Sequence, residues 1–147
     1  MATKIFVNLP VKDLNKTKDF FAKLGFTFNP QFTDKNAACM VIGEDIFAML
    51  LVEDFFKTFI KKQIADSSRY TEAIVALTIE SRQKVDAMME KALKAGATEY
   101  RPPEEQGGMY GRSFQDLDGH LWEIGYMDES KIEKPQDKPK PKAKTKK

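Results

Sequence analysis

The chain has 147 residues, 31% of them charged and 41% hydrophobic, a composition that suits one soluble globular domain with a real core and excludes fibrous or low-complexity classes. Its longest apolar runs fall far short of the roughly 20 residues of a membrane helix. No N-terminal apolar segment resembles a signal peptide, and Cys39 is alone, which leaves no disulfide framework or cysteine-based metal site. A cytoplasmic location without a membrane partner is the expectation. The net charge of +2 is uneven, because residues 129–147 hold eight Lys against three acids. The tail carries +5 and the body −3, so no basic stripe on the body points to nucleic acid.

Alternation predicts a first strand over Ile5–Val11, and Asp13 is placed to cap a helix carrying Leu14, Thr17, Phe20, Phe21 and Leu24 at helical spacing. Gly25 stops it. Three short strands are then predicted over residues 27–33, 37–42 and 46–52, separated by Asp34-Lys35-Asn36 and Gly43-Glu44-Asp45. From 53 to 66 the pattern becomes helical, with Phe55, Phe56, Phe59, Ile60 and Ile64 along one side. A branched strand over 71–79 leads to Ser81, which caps a long amphipathic helix with Val85, Met88, Met89, Ala92 and Leu93 facing inward. Gly96 ends that helix. A strand beginning at 97 is interrupted by Pro102-Pro103 and by a loop over 104–111 with three glycines, flanked by Tyr110 and Arg112.

The stretch 113–128, SFQDLDGHLWEIGYMD, reads as strand, turn, strand, with Asp116-Leu117-Asp118-Gly119 as the turn. Alternation puts Trp122, Ile124 and Tyr126 on one face of the last strand and Leu121, Glu123 and Gly125 on the other. Glu123 is therefore a carboxylate among apolar neighbours, costly unless paired, hydrated or used. The second half of the chain repeats the first: Val11 corresponds to Ile79, Gly25 to Gly96 and Gly43 to Gly119. The expected architecture is α+β, two tandem βαβββ modules over about 5–52 and 71–128, with curled mixed sheets around a cup and helices outside. A domain over 1–128 would be followed by a disordered Lys/Pro-rich tail over 129–147.

The duplicated unit, its VKDL…FFAKLGF opening and its late F-x-D-x-D-G-H-x-W-E-I strand pair resemble the vicinal oxygen chelate superfamily, which includes glyoxalase I, extradiol dioxygenases and the fosfomycin and bleomycin resistance proteins. More narrowly, the chain looks like predicted lactoylglutathione lyases. In metal-dependent members, one side chain from the first and last strand of each module binds an ion in the cup. Carried over, those four positions fall on Phe6, Met49, Ile74 and Glu123. Phe and Ile offer no lone pair, and a catalytic divalent site needs about three protein ligands. The resemblance therefore implies no metal and no cofactor here.

Several readings stay open. Glu123 is either a general base or ligand acceptor, or a carboxylate satisfied by backbone amides or a nearby Tyr or Arg. Asn8 shares a face with Phe6, and Thr78 with Ile74, so both line the cup or satisfy their neighbours. Arg112 is available for a ligand carboxylate or phosphate, or sits on an exposed hairpin. His120, the only histidine, is expected to face solvent at the turn. Three functions follow: a metal-free small-molecule binder contacting Phe6, Asn8, Met49, Ile74, Thr78, Tyr110, Arg112 and Leu121; a glyoxalase-like lyase using Glu123; or an interaction module with a filled cup. The aromatic stripe over 53–66 adds the expectation of a homodimer.

Overall fold

The computed structural model describes residues 2–131. Two four-stranded mixed sheets form, one from each module. Strand β1 (Ile5–Val11) is followed by helix α1 (Leu14–Lys23) and by β2 (Thr27–Phe28), β3 (Ala37–Gly43) and β4 (Ile46–Val52), in the order β1-β4-β3-β2. After the short helix α2 (Glu53–Lys57), β5 (Ile74–Thr78), helix α3 (Arg82–Lys94), β6 (Thr98–Gln106), β7 (Met109–Gln115) and β8 (Leu121–Met127) repeat the plan as β5-β8-β7-β6. In each sheet the first strand pairs in parallel with the last, and the remaining pairs are antiparallel. The two-module α+β architecture is thus as the repeat predicted.

Both long helices start where a side chain can accept an orphan backbone N–H. Asp13 accepts from the Lys16 N–H and Ser81 from the Lys84 N–H, each at 3.1 Å. Each ends before a glycine with positive φ, Gly25 at 104° and Gly96 at 113°. Phe20 and Phe21 of α1 and Val85, Met89 and Ala92 of α3 are buried in a single core with Val11, Leu50, Phe114, Trp122 and Ile124. Phe21 lies 5.1 Å from Trp122 and Phe20 6.1 Å from Phe114, centroid to centroid, so α1 packs on the second sheet as well as its own. The helix-bearing faces of the two sheets therefore share one core, and their opposite faces turn away from it.

Four predicted segments differ. The strand expected over 27–33 stops at Phe28, because Asn29 accepts from the Gln31 N–H at 2.9 Å and opens a 3-10 turn at Pro30–Phe32. The strand expected over 71–79 is confined to Ile74–Thr78. The helix expected over 53–66 is only Glu53–Lys57: Val52 supplies no side-chain cap, and so short a helix depends on packing against β1 and β4. Phe59 beyond it is 67% exposed. The loop expected over 104–111 is a tight hairpin, its turn made by Gly107 and Gly108 with φ of 58° and 85°. Pro102 and Pro103 sit inside β6 at a register shift between Arg101 and Glu104, tolerated because β6 is an edge strand. At the start of the expected tail, Glu129–Lys131 form a 3-10 turn; the remainder lies outside the described residues.

The turn between β7 and β8 joins the modules. Buried Asp116 accepts from the backbone N–H of Asp118 and His120 and from the Trp122 indole N–H at 2.9–3.0 Å. Burial pushes its carboxyl above the usual range, against the pull of His120 and the Trp122 N–H. Asp118 reaches into the first module, accepting from the Lys12 N–H at 2.8 Å and the Thr17 hydroxyl at 3.1 Å. His120, expected to face solvent, instead sets Nε2 2.7 Å from the Pro10 carbonyl oxygen and is only partly exposed. Gly119 has φ 90°, and a Cβ there would meet the Ser67 carbonyl at 2.5 Å.

Tyr110 and Arg112 fasten α3 to the second sheet. The Tyr110 hydroxyl donates to Asp86 Oδ1, and Arg112 bonds Asp86 at 3.2 Å and Glu99 at 2.8 Å. The Tyr110 hydrogen bond, with Arg112 adding to it, holds the Asp86 carboxyl below its ordinary 3.8. A depressed carboxylate contributes stability that is present above the unfolded pKa and lost as pH falls through the folded one.

Two outcomes follow from these contacts. Asp118→Ala should lower stability by about 1–3 kcal/mol, since two donors in the first module lose their acceptor; an unchanged melting temperature would show that the turn does not tie the modules. Asp86→Asn should cost about 1 kcal/mol at neutral pH, after allowing for screening of a half-exposed carboxylate. Its deficit relative to wild type should shrink below about pH 4, measured by urea melts from pH 7 to pH 3, and a deficit constant across that range would contradict the assignment.

Candidate functional site

The open face of the second sheet is built from cross-strand rows. Register aligns Ala76, Glu123, Ser113 and Arg101 from β5, β8, β7 and β6 in one row. The next row holds Thr78, Gly125, Gly111 and Glu104, and the one after it Met127, Met109 and Gln106. Two glycines side by side between rows with side chains leave a trough. It is a groove of about 300 Å³ lined by residues of all three rows, at the lower end of the size range for small-molecule sites. A Cβ on Gly111 would meet nothing within 4 Å, so its missing side chain is the groove's floor.

Glu123 borders this trough. Ser113, between Glu123 and Arg101 in the row, is short enough for the guanidinium to pass over it. Arg101 Nη2 lies 2.6 Å from Glu123 Oε1, and its Nη1 lies 3.2 Å from Glu104 Oε1. Glu123 is thus paired with an arginine, one of the alternatives its sequence context left open. The side chains are 48% exposed for Arg101 and 37% for Glu123, so the pair is wet and contributes little to stability by itself.

The other candidate residues divide between two surfaces. Thr78 lines the same groove. Ile74 pairs in register with Leu121 in the row before Glu123, Ile74 being 53% exposed and Leu121 buried. Tyr110 and Arg112 border the groove, but their polar ends turn to Asp86 on α3. Phe6, Asn8 and Met49 lie on the open face of the first sheet, where Phe6 stacks on Phe47 at 4.7 Å and is 44% exposed. The expected convergence of Phe6, Met49, Ile74 and Leu121 does not occur within one chain, because the shared core lies between the two open faces. Sequence reading also passed over Arg101, Glu104, Gly111 and Gly125. The signal for the two glycines was available: one in each of two adjacent strands on the same face as Glu123.

Register shows that Met49 and Glu123 are equivalent. Met49 pairs with Asn8 two residues after Phe6, just as Glu123 pairs with Ala76 two residues after Ile74. The residues at the four superfamily metal positions do not fit an ion. Two are hydrocarbon, one is a thioether, and Glu123 is engaged by Arg101. Among the described residues no three His, Cys, Asp or Glu side chains gather in a metal-sized cluster. Cys39 is fully buried, and burial pushes its thiol up, away from the reactive thiolate.

Residues 3–43 match the model of the bleomycin resistance protein-like N-terminal family. No curated protein matches the chain in sequence. Among solved structures, the hypothetical protein SA1046 from S. aureus is 29% identical, with 86% of this chain and 95% of that one covered and a TM-score of 0.73. A glyoxalase/bleomycin resistance protein/dioxygenase family enzyme from Burkholderia phytofirmans PsJN superposes with a TM-score of 0.72 at 14% identity, covering 86% and 99%. The fosfomycin resistance protein FosX from Listeria monocytogenes, in complex with Mn(II) and sulfate, has a TM-score of 0.64 at 21% identity, covering 89% and 94%. The chain thus has the duplicated two-module fold of these proteins, and its first module resembles the bleomycin resistance protein-like N-terminal family in sequence.

Proposed function

We propose that this protein binds a small organic molecule in the groove of its second sheet, without the metal ion of its metal-dependent relatives. The observation that carries the reading is the glycine trough. Gly111 and Gly125 lie between a polar row, with Arg101 and Glu123, and an apolar pair, Met109 and Met127. Mixed walls over a preformed depression are what a small amphipathic ligand needs. A glyoxalase-like reaction would require Glu123 as base, and Arg101 must first release it. The open trough also weighs against a cup filled by the protein's own side chains.

The groove is open on one side, and the first sheet of the same chain does not roof it. That first sheet presents Phe6 beside Phe47, with Lys4 Nζ 5.7 Å from the Phe47 ring centroid. In a two-fold dimer, the open face of one copy's first sheet covers the second sheet of the other, giving two equal cups. Phe6 and Ile74 occupy equivalent positions and are both exposed, so they would be covered together. On this reading the expected homodimer contact lies on the sheets rather than on the 53–66 stripe.

Filling the trough tests the binding site. Gly111→Val has room and no positive φ to lose, so the melting temperature should hold or rise slightly. In a thermal-shift screen, a compound that stabilises wild type should lose at least about tenfold in affinity for this variant. Undiminished binding by Gly111→Val would put the site elsewhere. Light scattering tests the assembly: wild type and Phe59→Glu should have twice the monomer mass of 16.8 kDa, and Phe6→Glu the monomer mass. A monomeric wild type removes the shared cup, and a dimer lost only in Phe59→Glu returns the interface to the 53–66 segment.

A further inference from the structure

Charge around the trough is lopsided, and the imbalance points to the class of molecule it accepts. Among the described residues, Arg101 aims its guanidinium across the groove, and both of its terminal nitrogens are engaged, Nη2 by Glu123 and Nη1 by Glu104. The other arginine at the groove, Arg112, is committed to Asp86 and Glu99 on the far side of the sheet. Each of the two carboxylates meets Arg101 through one oxygen, Oε1, and a carboxylate has about four lone-pair sites to offer. With Arg112 offset by Asp86 and Glu99, the remaining charged side chains at the trough are two carboxylates against one guanidinium. Arg101 gives two of its five N–H groups to these carboxylates, and their remaining lone pairs leave negative charge in excess at this end of the trough.

From this we infer that the ligand is an amphipathic cation: an ammonium or amidinium group donating to Glu123 and Glu104, with an apolar body lying along Gly111 and Gly125 against Met109 and Met127. The inference rests on the groove being the binding site and adds the charge of its occupant. An anion would add a third negative charge beside two carboxylates that already share one guanidinium. A cation completes the alternation already begun, so that Arg101 and the ligand's cationic group flank the same carboxylates. The methionine thioethers are soft and conform to an apolar body of varied shape, so the charged end, rather than the outline of the pocket, sets the selectivity.

Three probes with one apolar body separate charge from burial: 4-phenylbutylamine, 4-phenylbutan-1-ol and 4-phenylbutyrate, titrated calorimetrically into wild type, Glu123→Gln and Glu104→Gln. Wild type should bind the amine about tenfold or more tightly than the alcohol, and the carboxylate least. The preference should shrink in both variants and with added salt. Glu104→Gln, on an exposed edge-strand side chain, guards against misreading a folding defect in Glu123→Gln. If the alcohol binds as tightly as the amine, or the carboxylate more tightly, the charge inference fails while the groove stands. If the amine preference survives both substitutions and salt, the carboxylates are not its source and the inference also fails. If none of the three binds, the groove itself is not a small-molecule site and both readings fall.

Discussion

A buried carboxylate holds this molecule's two halves in relation. Asp116 carries a charge into a site 7% exposed, which is tolerable only because two backbone amides and the Trp122 indole converge on it. Those bonds fix the turn in one shape. The fixed turn aims the Asp118 carboxylate at the Lys12 amide and Thr17 hydroxyl and the His120 ring at the Pro10 carbonyl. They also anchor Trp122, whose ring stacks on Phe114 and meets Phe21 of the first module. Polar and apolar contacts between the modules thus start from one five-residue turn. Gly119 is required there for a local reason, since its backbone approaches that of Ser67 more closely than any side chain permits.

That arrangement explains why the most distinctive sequence motif is structural in its first half and borders the proposed binding groove in its second. The D-x-D-G-H segment consists of groups that chemistry uses elsewhere, two carboxylates and an imidazole, yet all three side chains are consumed in holding the turn. Four residues beyond Gly119, Glu123 projects from the opposite face to Trp122 and stands at the edge of the groove. Alternation alone assigns them to opposite faces.

The fold was largely legible in the sequence because its signals are local and redundant. Helix caps at Asp13 and Ser81, stops at Gly25 and Gly96 and branched strands recur at matching places in both halves, so each module corroborates the other. The misread segments lack that redundancy. The aromatic residues at 55–60 have helical spacing but no cap and no long run, and tertiary contacts cut the helix at Lys57. Pro102-Pro103 suggests a break, yet an edge strand with a bulge absorbs both. The site was legible only in part. Glu123 could be singled out as a polar residue in apolar company, but its partner Arg101 is 22 positions away on a strand reached through two register shifts. No periodicity carries such a pairing. His120 was misplaced because its acceptor, the Pro10 carbonyl, is 110 residues distant.

The two sheets share a register and differ in what the register carries. Where the second sheet sets Ala76, Glu123, Ser113 and Arg101 across its open face, the first sets Asn8, Met49 and Cys39 at the corresponding places. One face is a charged row beside a glycine trough; the other is packed with sulfur and aromatic side chains, Cys39 and Leu51 nearly inaccessible and Phe47 under Phe6. A metal bound between such faces would need donors from both, and only one supplies a carboxylate. A carbon-rich molecule with a charged end needs the reverse, an apolar cover on one side and a polar row on the other. The difference between the two copies of the module is therefore one that the proposed amphipathic ligand would use and that an ion would not.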